Sequence, residues 1–252
     1  MLVPGPWIED PLAPYAEVTR SRPDGRCWVM AHMVGGLDGS AAIGGRVGAL
    51  STAPDAELFR LMRVLADVVL VGAGTVRAEH YGVVRLPPER AAARVAAGRP
   101  ATPPIAVVTR SLDLDWAARA FADAPPDART LVITCAAADR ARLEQARQVA
   151  DVIVAGRDRV DPDLALRRLA ERGHRVVLCE GGPTWLGELV AADLVDELCL
   201  TLAPLMGGDP LPVAVAPPGA PLEKFSLRHV LCSDGDDDDT LFLRYERGTD
   251  GP

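Results

Sequence analysis

The chain has 252 residues, 48% of them hydrophobic and 25% charged, and carries a net charge of −8. That composition fits a globular domain with a sizeable core, which an aromatic content of 4% requires to be aliphatic. The acidic balance argues against a nucleic-acid partner, whose phosphates call for Lys and Arg, and no apolar run approaches the ~20 residues that span a bilayer.

Residues 1–25 are Pro-rich and are expected to wrap the surface as an extension of one domain over 26–247, with a short tail at 248–252. The N-terminus carries Glu9, Asp10 and Glu17 and lacks the basic and apolar regions of a signal peptide, so a cytoplasmic setting is expected. Arg26 to Val34 reads as a first strand, broken by Gly35-Gly36-Leu37-Asp38-Gly39. Pro54 to Ala66 reads as a helix, because Leu58, Leu61, Met62 and Leu65 recur at i, i+3, i+4 and i+7. Val68 to Val71 is the next strand, followed by a glycine turn and a short helix. Arg85 to Pro104 holds five prolines and is expected to be a long, mobile connection.

Ile105 to Val108 and Leu131 to Thr134 are short apolar strands, Ala137 to Val149 a helix, and Val152 to Val154 a further strand. Asp161-Pro162 caps a helix running to about Arg172. Val176 to Cys179 ends at Glu180-Gly181-Gly182, from which Pro183 opens a helix to Ala192, and Glu197 to Leu202 is a strand. A Pro/Gly-rich loop then leads to two alternating segments, Phe225 to Cys232 and Thr240 to Tyr245, expected to pair as a hairpin. The acid run Asp234 to Asp239 falls at the tip of that hairpin. Strands alternating with helices and then a terminal hairpin predict an α/β fold: a mixed, mostly parallel sheet flanked by helices with an antiparallel edge. The five cysteines are widely spaced, form no Cys-x-x-Cys, and read as buried, reduced thiols; no metal site is expected.

Two stretches carry chemistry. Val68 to Val71 runs into Gly72-Ala73-Gly74-Thr75-Val76, and Val176 to Cys179 runs into Glu180-Gly181-Gly182-Pro183-Thr184. In each, an apolar strand reaches glycines that let a ligand approach the backbone, then a helix start whose free N–H groups favour an anion such as a pyrophosphate. Neither is a Walker loop, and Arg77 breaks the dinucleotide fingerprint. A carboxylate at a strand's carboxyl end, like Glu180, sits where open α/β sheets bind ligand.

Taken in order, Gly36-Leu37-Asp38-Gly39, Leu50-Ser51-Thr52, Arg63, Asp67 to Val76, Glu180-Gly181-Gly182, Val195-Asp196-Glu197 and Pro204-Leu205-Met206-Gly207-Gly208 resemble the dihydrofolate-reductase-like reductases of riboflavin biosynthesis. These are the reductase half of a bifunctional deaminase–reductase, also found alone. The resemblance implies an NADPH-binding mixed sheet, a homodimer without a deaminase domain, and a small heterocyclic substrate. It places Gly72, Gly74, Thr75, Val76, Gly181, Gly182 and Thr184 at the cofactor, with Thr109, Arg110 and Ser111 facing the adenosine 2′-phosphate. It places Ser51 and Arg63 at the substrate, with Arg63 on its phosphate, and Glu180 as the catalytic carboxylate beside the nicotinamide. His32, Asp38 and Glu79 complete the expected substrate side. The chain departs from the family pattern at His32, Gly36 and Glu79-His80-Tyr81, all on that side.

The reaction implied is reduction of the ribosylamino side chain of 5-amino-6-(5-phosphoribosylamino)uracil. A reductase of dihydrofolate or another pterin, and a non-catalytic NADP-binding paralogue, stand as alternatives. His32, Glu180 and water are the candidate proton donors.

Overall fold

A computed structural model describes residues 6–233 and 239–248. Nine strands form one sheet in the order β5-β4-β3-β2-β6-β1-β7-β9-β8. They are β1 (Trp28–Gly35), β2 (Val68–Gly72), β3 (Ile105–Val108), β4 (Leu131–Thr134), β5 (Asp151–Val154), β6 (Val176–Cys179), β7 (Glu197–Leu202), β8 (Phe225–Cys232) and β9 (Leu241–Arg247). Strands β1 to β7 pair in parallel, while β9 runs antiparallel to both β7 and β8. The fold is the α/β sheet with a terminal hairpin that the sequence predicts.

Parallel strands covered on both faces must be apolar throughout. Accordingly, all five residues of β2 are buried. One layer of core gathers Met30, Leu58, Met62, Val69, Val71 and Leu178. The opposite layer gathers Val29, Leu70, Ile133, Leu166, Leu169 and Leu186.

Helix α1 (Ala13–Ala16) lies in the N-terminal segment and fully buries Tyr15. Helix α2 (Ala53–Met62) is capped by Thr52, whose hydroxyl accepts from the Asp55 amide. It stops four residues short of the predicted end. Tight i→i+3 turns replace it over 61–66, where Arg94 and Arg99 take the carbonyls of Val64, Leu65 and Ala66. Helix α3 (Ala73–Ala78) follows β2 directly, so Gly74 lies inside a helix and not in a turn.

The expected mobile connection over 85–104 instead contains α4 (Pro88–Ala96), opened by proline at its start. Short α5 (Arg119–Ala122) precedes β4, and α6 (Arg140–Val149) follows it. Helix α7 (Pro162–Glu171) is capped by Asp161, whose carboxylate accepts from the Leu164 amide at 3.0 Å, as its sequence requires. Helix α8 (Pro183–Ala191) follows β6. Cys27, Cys135, Cys179 and Cys199 are buried, whereas Cys232 is exposed at the sheet's edge strand, against expectation. The acid run over 234–238 lies outside the described residues.

Candidate active site

The carboxyl ends of β1, β2, β3 and β6 open into one cleft of about 1170 Å³. Strand order reverses around β2, β6 and β1, and such switch points are where open α/β sheets place their ligands.

One half of the cleft is backbone. The Gly72 amide donates to the Gly181 carbonyl at 3.0 Å, so the ends of β2 and β6 are fastened together. A Cβ on Gly182 would come within 3.3 Å of the Gly72 Cα, and the positive φ of 71° there suits glycine. Helix α8 starts at this junction with no side-chain cap, which leaves its first amides, at Thr184 and Trp185, facing an incoming anion. Gly74, Thr75 and Thr184 line the same wall, and at the far rim stand Thr109, Arg110 and Ser111. Arg110 is exposed. Arg77 and Arg159, which the expected site does not include, line the cleft too. Thr109 is less free than expected, because its hydroxyl accepts from the Leu112 amide at 3.0 Å. Val76 points away into the core. A shell of backbone amides ringed by arginines fits a dinucleotide's phosphates.

The other half is built of ionisable side chains. Glu180 accepts from Arg63 twice, Nε at 2.6 Å and Nη2 at 2.7 Å, and from the Tyr81 hydroxyl at 2.8 Å. Its side chain is fully buried, and that of Arg63 is 13% exposed. The Arg63 guanidinium also lies over the Phe59 ring, 4.4 Å from its centroid. Burial works to lower the Arg63 pKa, but the Glu180 charge and hydrogen bonds outweigh it and hold the group more firmly protonated than usual. Burial, then the Glu180 charge, push the Tyr81 hydroxyl well above its ordinary range. Arg63, which the resemblance places on the substrate's phosphate, here clamps the carboxylate at the end of β6.

His32 and Asp55 lie on the same wall, each nearly fully buried. Burial lowers the His32 pKa, more than the nearby Asp55 and Glu180 charges raise it, so the ring is neutral at pH 7. The Ser51 hydroxyl donates to Asp55 Oδ2 at 2.5 Å. Asp55 Oδ1 and His32 Nε2 have no hydrogen-bond partner among the described residues.

Glu79 lines the cleft, but its Oε1 accepts from the Val47 amide at 2.8 Å and so holds the glycine-rich loop over 44–48 against α3. Asp38 is not in the cleft. Its carboxylate accepts from the Ser40 amide, the Ser40 hydroxyl and the Gly207 amide, a turn-forming role that ties two loops together. A Cβ on neighbouring Gly36 would sit 2.9 Å from the Leu205 carbonyl, so the packing of these two loops suits glycine there. Asp55 and Phe59 are absent from the expected site, whereas Tyr81, expected only as a departure on the substrate side, proves to be a partner of Glu180. The signal for Asp55 was a carboxylate three residues past the Thr52 cap, in line with Leu58 and Met62 on the buried stripe of the helix.

A backbone cradle that fits phosphates, joined to a buried cluster of ionisable groups at the carboxyl ends of a mostly parallel sheet, is a candidate enzyme site on a fold of the dihydrofolate-reductase-like type. The chain belongs to the RibD C-terminal domain family, whose model matches residues 27–236. It is 29% identical over 184 residues to the 2,5-diamino-6-ribosylamino-4(3H)-pyrimidinone 5′-phosphate reductase of Archaeoglobus fulgidus, covering 73% of this chain and 83% of the relative. A pyrimidine reductase-like protein from Corynebacterium diphtheriae superposes with a TM-score of 0.79 at 28% identity, over 89% of this chain and 93% of its own. The dihydrofolate reductase of Enterococcus faecalis shares the fold alone, with a TM-score of 0.50 at 15% identity over 88% of this chain and 97% of its own.

Proposed function

We propose that this chain is an NADPH-dependent reductase of a phosphorylated ribosylaminopyrimidine, acting in the cytoplasm as a homodimer. The observation that carries the reading is the joining of two half-sites at one strand end: Glu180 belongs to the ionic cluster and Gly181-Gly182 to the phosphate cradle, with no residue between them.

Bound NADPH supplies the hydride. The chain's residues do the rest. Gly72, Gly181, Gly182 and the α8 amides would hold the pyrophosphate, with Gly74, Thr75 and Thr184 beside it and Arg110 at the 2′-phosphate. Arg63 and Tyr81 fix the Glu180 carboxylate in one orientation, so it can accept from the substrate's amino groups without rotating. His32 and Ser51 line the face where the heterocycle would lie. Tyr81 is not free to supply the proton that accompanies hydride transfer, because its hydroxyl donates to Glu180.

The test is NADPH oxidation by the purified protein with the ribosylaminopyrimidine phosphates and with dihydrofolate. Rapid oxidation with a ribosylaminopyrimidine phosphate is expected. Oxidation with dihydrofolate in its place would move the assignment to a pterin, and none with any of them would leave a nucleotide-binding paralogue.

A further inference from the structure

At the opposite end of the sheet from the cleft, a notch of about 320 Å³ is lined by Arg20, Ser21, Arg22, Gly25, Arg26 and Arg175. Arg26 stands just before β1 and Arg175 just before β6, so the notch lies at the amino ends of strands whose carboxyl ends open into the cleft. The eight residues of β1 separate the two places by about 26 Å. Four guanidiniums around one small hollow stand out in a chain of net charge −8. The fold holds them there. Arg20 donates from Nε and Nη2 to Glu197 and from Nη1 to the Tyr15 carbonyl, which occupies all three of its nitrogens. Arg22 Nη1 donates to Asp196, Arg26 Nε to Asp24 at 2.7 Å, and Arg175 Nη1 to the Gly25 carbonyl at 2.8 Å.

Each of the last three therefore keeps an open edge. Arg22 Nη2, both terminal nitrogens of Arg26, and Arg175 Nε and Nη2 make no hydrogen bond among the described residues. Arg22 Nε is buried without a hydrogen-bond partner, since Asp24 Oδ1 stands 3.6 Å away. Asp24 and Asp196 are the carboxylates alongside, and the Glu197 beneath is shared with Arg244, so the lining arginines outnumber the acids beside them. Both aspartates also turn an oxygen toward a backbone amide, of Arg26 and of Val29. The excess charge reaches beyond the notch: burial first, and then the Arg22 and Arg26 charges, hold the Arg247 pKa below its ordinary value. We propose that this notch is a second anion site, which takes a phosphoryl group on the open edges of Arg22, Arg26 and Arg175. Planar guanidinium edges match the oxygens of a phosphate, and a dianion relieves the repulsion among cations held close together. The hollow has room for a small organic group beside the phosphoryl, so its ligand is a phosphate monoester of a small metabolite. Ser21 at the rim adds a hydroxyl.

Calorimetry tests this with glycerol 3-phosphate and inorganic phosphate, each titrated at constant ionic strength into protein saturated with NADP, so that the cradle in the cleft is filled. The parent is expected to bind glycerol 3-phosphate. Arg26→Gln combined with Arg175→Gln should weaken that binding at least about tenfold, since two charge-assisted contacts are lost, and leave NADP affinity and the phosphate-free melting temperature close to the parent's. Arg26→Lys keeps the charge without the fork and should fall between the two. Tighter binding of the monoester than of inorganic phosphate would assign the notch to a phosphorylated metabolite, and equal binding to the free ion; either supports a phosphoryl site. Binding of neither probe, or an affinity that the double substitution leaves intact, would overturn the proposal. If the double variant fails to fold, Arg26→Gln alone decides by the same criterion, because within the fold that guanidinium bonds only to Asp24 at the surface. Reduction of any substrate enters none of these readings, so the fate of the proposed reaction and that of the notch are settled separately.

Discussion

The interaction that most constrains this site is the one between Arg63 and Glu180. The family resemblance sets Arg63 on the substrate's phosphate. The structure sets it in a bidentate pair with a fully buried carboxylate. Breaking such a pair from one side leaves the other charge buried and uncompensated, which costs about 3–5 kcal/mol. Arg63→Ala should therefore lower both turnover and the unfolding free energy, where a plain phosphate contact would raise KM and leave the fold intact. Glu180→Gln makes the same test milder. The amide can still accept one bond from Arg63 but sets its own NH2 against the second, so turnover should fall while NADPH affinity changes no more than a few-fold; undiminished turnover would remove Glu180 from the mechanism. At the far rim Arg110 is exposed and unconstrained. If it reads the 2′-phosphate, Arg110→Ala should weaken NADPH by about tenfold and leave NADH unchanged. Equal losses for both cofactors would place the 2′-phosphate elsewhere, with Arg77 and Arg159 the next to test.

At the scale of elements, the informative difference is α4. Five prolines and a run of alanines made residues 85–104 look like loose chain, and each signal has another reading once the structure is seen. Pro88 opens the helix at a position where its missing N–H is no loss, and Gly98, at φ 74°, closes it. Arg94 then turns inward. It is 3% exposed and donates to the carbonyls of Val64, Ala66 and Pro100, so α4 stitches the end of α2 to the start of β2. Burial, with the neighbouring Arg99 charge, brings its pKa down to about 10. Arg94→Met fills similar space and orphans the Val64 and Pro100 carbonyls, while Ala66 keeps its bond from Arg99; a loss of about 2–4 kcal/mol in denaturant unfolding, with NADPH affinity in the folded protein preserved, is the expected outcome. A loss under about 1 kcal/mol would show that water replaces the guanidinium.

The same contrast explains what could be read in advance. Strands β2, β3, β4 and β6 declare themselves as apolar runs, and α7 by its Asp-Pro start, because burial and capping leave marks on local sequence. The glycine cradle was legible for the same reason. The partnership of Tyr81 with Glu180 was not legible, since it depends on the meeting of β6 and the segment after α3, at a separation no local pattern records.

For the whole molecule, a second ionic cluster binds chain ends that lie far apart in sequence. Glu197 on β7 is fully buried. It accepts from Arg20 of the N-terminal segment at 2.8 Å through both oxygens, from Trp28 Nε1 at 3.0 Å and from Arg244 of β9 at 2.7 Å. Burial alone would raise its pKa, but the Arg20 hydrogen bonds and charge, joined by Arg244, bring it below the usual 4.5. A depressed carboxylate stabilises the fold fully above its unfolded value and loses that contribution as pH falls through the folded one. Glu197→Gln should thus cost about 3–5 kcal/mol at pH 7. The gap between parent and variant should stay level down to about pH 5 and narrow below 4.5; a gap that instead widens on acidification would contradict the pairing.

One consequence follows from the end of β6, where Glu180 is succeeded at once by Gly181 and Gly182. The two half-sites share a single covalent ruler. One residue inserted or deleted there shifts one half against the other by about 3.3 Å, as much as a whole hydrogen bond, and no side-chain adjustment can restore the match. Length changes in the long loop between β7 and β8 move neither Glu180 nor the cradle. Across natural or engineered variants of this protein, length polymorphism should accumulate in such loops and be purged from the three residues that join substrate to cofactor.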